Sequence, residues 1–206
     1  MLDLLRCKRI LTLMAHPDDE TLGCGGTLVR AMEKGSTVDI VIPVRRIEDE
    51  CYEAIKTLGV TSISFGDFRD NEMDDYPLMT VSKFFENYVE LFNPDLIFTH
   101  YPDCTNQDHR VCYEAAIIAT RKRNVELLGC EILSSTGYLK PVRFEPNIFI
   151  ELNERHMKTK CEAMKKYVSE FQNGRSAEKL EALAKYRGIF SNGQYAEAFM
   201  LFKGIV

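Results

Sequence analysis

Residues 15 to 20, with the sequence AHPDDE, bring four ionisable side chains together between an apolar run and an amphipathic one. Carboxylates crowded in this way repel one another and resist the loss of water, so the cluster lowers stability unless a cation offsets the charge. His16 and Asp19 are three residues apart, close enough across a turn to share one metal ion. Asp18 can then point past the ion toward water. Helix capping by Asp18 or Asp19 is the competing interpretation, but it explains only one acidic residue of the set.

A second polar cluster, HYPDCTNQDHR at residues 100 to 110, offers the remaining ligand. His109 precedes an amphipathic run and would project from the start of a helix. Together with His16 and one carboxylate it makes a site with an open coordination position, which is typical of catalytic zinc. His100 is the competing candidate, and because it ends an apolar run it equally suits a hydrogen-bonded position inside the protein. Asp108 is a further candidate for proton transfer.

Apolar runs and amphipathic stretches alternate along the chain, and this pattern predicts the elements that position both clusters. It indicates an α/β fold: a single domain over residues 1–206, with a Rossmann-like parallel sheet, a mixed edge and helices on both faces. Ligands in this architecture bind beyond the carboxyl ends of the strands. Because each cluster directly follows a predicted strand, the two should meet at one rim of the sheet. Strands are predicted at residues 8–14, 37–44, 61–65, 95–100, 130–135 and 147–152, and helices at 22–34, 46–58, 78–92, 111–122, 151–171 and 177–190.

Composition excludes several classes of function. The chain has 206 residues and a formal net charge of -5, so it has no general attraction to nucleic acid or to anionic lipid. The opening run MLDLLRCKRILTLM is interrupted by charges and predicts neither a signal peptide nor a membrane span, which favours a cytoplasmic location. The seven cysteines lack a C-x-x-C pair, so reduced thiols are expected rather than a disulfide framework. Cys24 and Cys104 lie near the predicted site, where packing roles are favoured over nucleophilic ones.

The segment AHPDDETLGCGGTL at residues 15–28 closely resembles the opening signature of the PIG-L/LmbE-like zinc-dependent de-N-acetylases. Members of this family act on N-acetylglucosaminyl-phosphatidylinositol, on mycothiol and bacillithiol precursors, and on other sugar conjugates. The segment PDLIFTHYPDCTNQDHR at 94–110 is similar to the second family motif. Weaker similarity occurs at 68–74, 131–136 and 186–199, so the resemblance covers almost the full chain.

This resemblance implies a hydrolase that removes an N-acyl group, most simply acetyl, from an N-acetylglucosamine-type conjugate. Zn²⁺ or another divalent ion would be held by His16, Asp19 and His109, with Asp18 as the general base that activates water. Arg69 resembles the family position that grips the sugar. The expected partner is therefore a small N-acyl amino-sugar conjugate, and assembly into a homo-oligomer is compatible with the sequence.

One position departs from the family pattern. Many members carry a histidine three residues before the last zinc ligand, where it helps to stabilise the oxyanion, and this sequence has Asn106 there. An amide can donate a hydrogen bond to a substrate but cannot carry positive charge. Asn106 is accordingly counted among the substrate-binding candidates, and His100 is a further candidate of that kind. A catalytically weak homologue that binds sugar conjugates is the alternative that this substitution motivates.

A nucleotide-binding or glycosyl-transferring Rossmann protein is the other alternative. That class requires a glycine-rich turn directly after the first strand. The sequence has His-Pro-Asp-Asp there, and Gly23, Gly25 and Gly26 fall inside the predicted helix, where they suit close packing. A hydrolase is therefore favoured over both alternatives.

Overall fold

The computed structural model describes residues 7–138, 143–171 and 174–205, and in these ranges seven strands form one sheet. The strands are β1 (Arg9–Leu13), β2 (Thr37–Val44), β3 (Ser62–Phe68), β4 (Leu96–His100), β5 (Glu126–Cys130), β6 (Ile148–Leu152) and β7 (Tyr195–Lys203). Their spatial order is β3-β2-β1-β4-β5-β7-β6. Neighbours from β3 to β5 run parallel, whereas β7 runs antiparallel to both β5 and β6. The predicted Rossmann-like sheet with a mixed edge is confirmed.

Helices cover both faces of this sheet, as predicted. They are α1 (Asp19–Glu33), α2 (Glu48–Leu58), α3 (Leu78–Phe92), α4 (Gln107–Thr120), α5 (Glu154–Met164) and α6 (Ala177–Gly188). Helices α1, α2, α5 and α6 contribute to the core on one face, and α3 and α4 to the core on the other. The strands sort their side chains with a period of two, so Ile40 and Ile42 of β2 enter the first core and Val41 enters the second.

The prediction of a strand at residues 130–135 is wrong, because β5 occupies residues 126–130. The apolar run LLGCEIL continues past the end of this strand, so hydrophobicity alone does not mark where pairing stops. Residues 131–137 instead turn back toward the loop that follows β4. A bridge between Cys104 and Thr136, and a hydrogen bond from Thr105 N to Ser135 O at 3.0 Å, join the two loops.

The end of the chain also differs from the prediction. The helix predicted over 151–171 is shorter, since β6 extends to Leu152, Asn153 caps α5, and the helix ends at Met164. Strand β7 has no counterpart among the predicted strands. A buried carboxylate, Glu197, interrupts its apolar pattern, and Lys160 Nζ donates to this carboxylate at 2.5 Å. Because a charged residue interrupts the apolar pattern, a strand that contains a buried ion pair is not recognised from hydrophobicity alone.

Helix α1 packs closely against the sheet through two glycines. A Cβ atom on Gly23 would lie 2.8 Å from Cβ of Cys130, and one on Gly26 would lie 2.5 Å from Cδ1 of Leu152. The nearest atom to a Cβ on Gly25 is 3.5 Å away, which is ordinary contact. The expectation of close packing is therefore confirmed for Gly23 and Gly26 but not for Gly25.

Gly23→Ala is expected to lower the free energy of unfolding by about 1–3 kcal/mol, because the added methyl group meets a strand atom fixed close to the backbone. Gly25→Ala is the matched control in the same helix. It should be neutral or stabilising by up to about 1 kcal/mol, because alanine favours the helix over glycine. Urea unfolding of both variants measures the difference. Equal stabilities would contradict the close contact assigned to Gly23.

The opening run, for which the sequence predicts neither a signal peptide nor a membrane span, includes residues 1–6, which lie outside the described residues. Within the described ranges, the helices are all too short or too polar to cross a membrane.

Candidate metal centre and active site

The two polar clusters meet where β1 and β4 end. These strands are parallel neighbours, with Leu13 opposite Thr99, so their carboxyl ends open onto the same rim. The backbone N–H of Ala15 donates to His100 Nε2 at 2.8 Å, which ties the loop after β1 to the end of β4. Helices α1 and α4 start from this rim. The sheet thus brings the two clusters together as the sequence predicts.

Three donor atoms converge at the rim: His16 Nδ1, Asp19 Oδ2 and His109 Nε2. Each pair of these atoms is 3.2 Å apart. The ligands of a tetrahedral zinc ion, bound at about 2.0–2.1 Å, are about 3.3–3.4 Å from one another, so the triangle matches one face of such a site. All three side chains are buried. The residues therefore fit a divalent metal ion, and two imidazoles with one carboxylate suit zinc.

The other ring nitrogen of His16 is held by carboxylates. Its Nε2 lies 2.9 Å from Asp108 Oδ2 and 3.3 Å from Asp70 Oδ1. Asp108 is fully buried and also accepts hydrogen bonds from the backbone N–H groups of Asn71 at 2.7 Å and Met73 at 3.1 Å. A carboxylate on the far nitrogen of a ligating histidine fixes the orientation of the ring. The structure thus places Asp108 behind His16, where it orients the ring.

His109 is supported by a thiol and by a second imidazole. Its Nδ1 lies 3.1 Å from Cys104 Sγ, and its ring stacks on His100 with centroids 3.9 Å apart. His100 is fully buried, and burial together with the charge of His109 holds its pKa well below the usual range. The structure therefore does not bring His100 to the surface that a substrate could touch. It lies behind the three donor atoms, in the hydrogen-bonded interior position that was one of the interpretations given for it.

The carboxylates around these histidines favour positive charge. Burial lowers the pKa of His16, yet hydrogen bonds with Asp108, Asp19 and Asp70 outweigh it and raise that pKa to about 11. Burial opposes a charge on His109 in the same way, but the Asp19 carboxylate raises its pKa to about 9. A cation is therefore favoured between these side chains, and a metal ion would displace the ring protons.

Asp18 occupies a strained position directly before α1. Its φ of 103° lies in the left-handed region, which costs a non-glycine residue about 1–3 kcal/mol unless its surroundings hold it there. The side chain makes no capping hydrogen bond to the described residues of α1, and Oδ2 instead accepts from Arg175 Nη1 at 2.6 Å. Burial and the charge of Asp19 raise the pKa of Asp18 well above its usual range, against the opposing charge of Arg175. Helix capping therefore does not account for this carboxylate.

A cavity of about 180 Å³ opens beside the donor triangle. Its wall consists of carboxylates, guanidinium groups and amides, together with one imidazole of the triangle. A wall of this kind suits a ligand rich in hydroxyl groups, because each hydroxyl can both donate and accept. The lining residues are His16, Asp18, Arg46, Asp70, Asn71, Asn106, Glu170 and Arg175.

Residues 11–120 match the protein family described as PIG-L, GlcNAc-PI de-N-acetylase, and this span is more than half of the chain. The chain belongs to the PIG-L family. It is also 28% identical over 178 residues to a protein of Escherichia coli K12 named uncharacterized deacetylase YaiS, across 79% of this chain and 91% of that one. The family resemblance of the opening motif is thereby confirmed.

Solved structures share the fold of this PIG-L chain at low sequence identity. The N,N'-diacetylchitobiose deacetylase of Pyrococcus horikoshii superposes with a TM-score of 0.76 at 20% identity, over 96% of this chain and 84% of that one. GalB, the 4-carboxy-2-hydroxymuconate hydratase of Pseudomonas putida KT2440, gives 0.80 at 17% identity, over 97% and 98%. Because a deacetylase and a hydratase share this fold, the fold alone does not decide the reaction.

Arg69, which resembles the sugar-gripping position of the PIG-L family, is not among the described residues that line the cavity. Its side chain is 59% exposed, and its guanidinium group pairs with Glu72 at 2.5 Å and with Asp75 at 2.9 Å. To reach a sugar in the cavity it would have to leave both carboxylates. The guanidinium groups that line the cavity in this structure are those of Arg46 and Arg175.

Sequence reasoning missed the charged wall of the cavity, which includes Arg46, Asp70, Glu170 and Arg175. Asp70 lies within residues 68–74, a segment with weaker similarity to the family, and could have been found there. Arg46 was assigned to a predicted helix and Glu170 to another, although both lie in loops. Arg175 reaches Asp18 across 157 sequence positions, so only the fold reveals this contact.

Asn106, the position at which the sequence departs from the family resemblance, caps α4. Its Oδ1 accepts hydrogen bonds from the backbone N–H groups of Asp108 at 2.9 Å and His109 at 3.4 Å. Asparagine is among the strongest N-cap residues, which gives a structural reason for its presence. The amide nitrogen lies 3.5 Å from Asn71 Oδ1, at the long limit of a hydrogen bond. It can therefore offer a donor to a ligand in the cavity that Asn106 lines.

Proposed function

We propose that this chain is a zinc-dependent N-deacetylase that hydrolyses the acetyl amide of an N-acetylglucosamine-type sugar conjugate, with residues 1–206 acting as one domain. The observation that carries the proposal is the donor triangle of His16, Asp19 and His109, which opens beside the Asp18 carboxylate in a polar cavity. Membership of a de-N-acetylase family supports it, as does the likeness to YaiS.

The protein's own groups hold the metal and the substrate. His16, Asp19 and His109 are the proposed ligands, and Asp108 keeps the His16 ring in position. A divalent ion bound there supplies Lewis-acid chemistry, because it acidifies water and offsets negative charge on an acyl oxygen. The amide nitrogen of Asn106 is the uncharged donor proposed for the same oxygen.

Asp18 is proposed to perform both proton transfers. As a water molecule attacks the acyl carbon, a C–O bond forms and the water gives a proton to the Asp18 carboxylate. Asp18 then returns this proton to the sugar nitrogen while the C–N bond breaks, so that a free amine and acetic acid leave, and the acid loses its remaining proton to solvent to give acetate. The contact with Arg175 holds the carboxylate at the cavity wall during this cycle.

Asn106→Ser is expected to lower kcat by about tenfold or more while leaving the fold and the metal content unchanged. Serine also caps helices well, so the start of α4 is kept, but its hydroxyl is too short to replace the amide donor in the cavity. Steady-state kinetics, metal analysis and urea unfolding of this variant separate the two roles. An unchanged kcat would contradict the role of Asn106 toward the acyl oxygen.

Product analysis tests the proposed reaction. Zinc-loaded protein is incubated with N-acetylglucosamine conjugates of an alcohol, a thiol and a nucleotide, and the mixtures are examined by mass spectrometry. The expected result is free amine and acetate in equal amounts from at least one conjugate. Tight binding without release would support the sugar-binding alternative instead, and addition of water without loss of acetate would indicate a hydratase.

A further inference from the structure

Five charged side chains of the cavity wall form a continuous chain of ion pairs, which runs in the order Asp70, Arg46, Glu170, Arg175 and Asp18. Arg46 Nη1 lies 3.0 Å from Asp70 Oδ2, and Arg46 Nη2 contacts Glu170 Oε1. Arg175 Nη1 lies 2.6 Å from Glu170 Oε2 and 2.6 Å from Asp18 Oδ2. Glu170 therefore places one carboxylate oxygen on each guanidinium group, between the two arginines.

This arrangement removes the attraction that two arginines would otherwise have for an anion. Each guanidinium group already faces two carboxylates, so its charge is neutralised within the wall. A divalent ion in the donor triangle would offset the buried charges of Asp19 and Asp108. With Asp18 in the ionised form that its proposed role as a base requires, the wall has three carboxylates, those of Asp18, Asp70 and Glu170, against two guanidinium groups. A negatively charged group of a ligand is therefore repelled by this wall, and the repulsion is stronger in a confined site than in water.

The position of Glu170 indicates which part of a substrate it can contact. Its side chain is 18% exposed, so it remains within reach of a ligand in the cavity. In an N-acetylglucosamine conjugate, the acyl amide and the conjugated group are attached to adjacent ring carbons. Because the reacting amide must lie beside His16 and Asp18, a phosphate or carboxylate on the adjacent carbon would lie in the same cavity, whose wall also carries Glu170 and Asp70.

We propose that Glu170 is a specificity-determining residue that favours an uncharged, hydroxyl-rich sugar conjugate and rejects one with phosphate or carboxylate beside the reacting amide. This inference rests on the proposed deacetylase function. Hydroxyl groups can bridge the carboxylates and guanidinium groups of the wall without changing its charge. An anionic conjugate is rejected because the carboxylates that are not neutralised repel it, so the specificity comes from repulsion of the wrong substrate.

The test compares the methyl glycoside of N-acetylglucosamine with N-acetylglucosamine 1-phosphate, two compounds that differ chiefly in charge. Wild-type protein is expected to show a kcat/KM at least about tenfold higher for the methyl glycoside. Glu170→Gln should reduce this ratio by about tenfold, because the amide keeps the shape of the side chain and removes its charge. Glu170→Asp keeps the charge and should keep the preference. Glu90→Gln on α3, whose side chain is 73% exposed, is the matched control and should also keep it.

Two results would overturn the inference. One is a wild-type preference for the phosphate, and the other is a ratio that Glu170→Gln leaves unchanged. If neither compound is deacetylated, the proposed function fails for these substrates, and the inference is tested separately by calorimetric binding of the same two compounds to wild type and variant. A binding ratio that Glu170→Gln shifts toward the phosphate would support the role of Glu170 even then, whereas an unshifted ratio would overturn it.

Discussion

Replacing Asp18 by asparagine is expected to lower turnover by about a hundredfold or more, with the fold and the metal content unchanged. The amide cannot accept the proton that the attacking water must lose, whereas it has nearly the same shape as the carboxylate. Asparagine also tolerates the left-handed backbone that Asp18 adopts, with φ at 103°, better than most residues. Its carbonyl oxygen can still accept from Arg175, so the local structure should be kept.

The measurements for this variant are the kcat of acetate release, the metal content per chain and the free energy of unfolding. Asp67→Asn is the matched control, because Asp67 is 89% exposed and lies outside the cavity wall. It should leave all three quantities unchanged. Recovery of Asp18→Asn by added zinc would make Asp18 a ligand. Activity close to that of the parent would mean that the proton leaves by another route.

Substitution of the proposed ligands is expected to act through the metal. Asp19→Asn and His109→Ala should each lose activity by about a hundredfold or more at one equivalent of zinc, because each removes one corner of the donor triangle. Excess zinc should partly restore Asp19→Asn, since an amide oxygen remains a weak ligand. This response to zinc distinguishes a ligand from the base at Asp18.

Elemental analysis of the purified variants checks the ligand assignment directly. His109→Ala should contain much less metal than the parent, and His100→Ala should retain more, because His100 Nε2 accepts from Ala15 N and lies 3.6 Å from Asp19. A full metal content in His109→Ala, together with loss of metal from His100→Ala, would show that the assignment of His109 as the third ligand is wrong.

Local patterns predicted the parts of the site that lie next to strand ends. Helix α3 has the predicted bounds, Leu78–Phe92, because its apolar spacing is regular and Asn93 with Pro94 ends it. The donor triangle could be predicted because each polar cluster directly follows a predicted strand, and the structure then shows that these strands, β1 and β4, are parallel neighbours. In a parallel sheet, residues that directly follow the strands lie at the same edge, so their position along the chain indicates where they meet in space.

Contacts between distant segments could not be predicted in the same way. Glu170 and Arg175 come from the loop after α5, and their place beside Asp18 depends on how that helix packs against α1 and α2. Charged loop residues carry no periodic signal, so the sequence gives no reason to prefer them to other surface charges. Strand β7 was missed for a related reason, since the pairing of Glu197 with Lys160 is visible only in three dimensions.

Titration of metal-depleted protein with zinc, with acetate release from an uncharged N-acetylglucosamine glycoside as the signal, tests the central claim most directly. The donor triangle predicts no release without metal and a linear rise that stops at about one zinc per chain. Release by the metal-free protein at the full rate, or no release from any N-acetylglucosamine conjugate at any zinc concentration, would contradict the assignment of a zinc-dependent deacetylase.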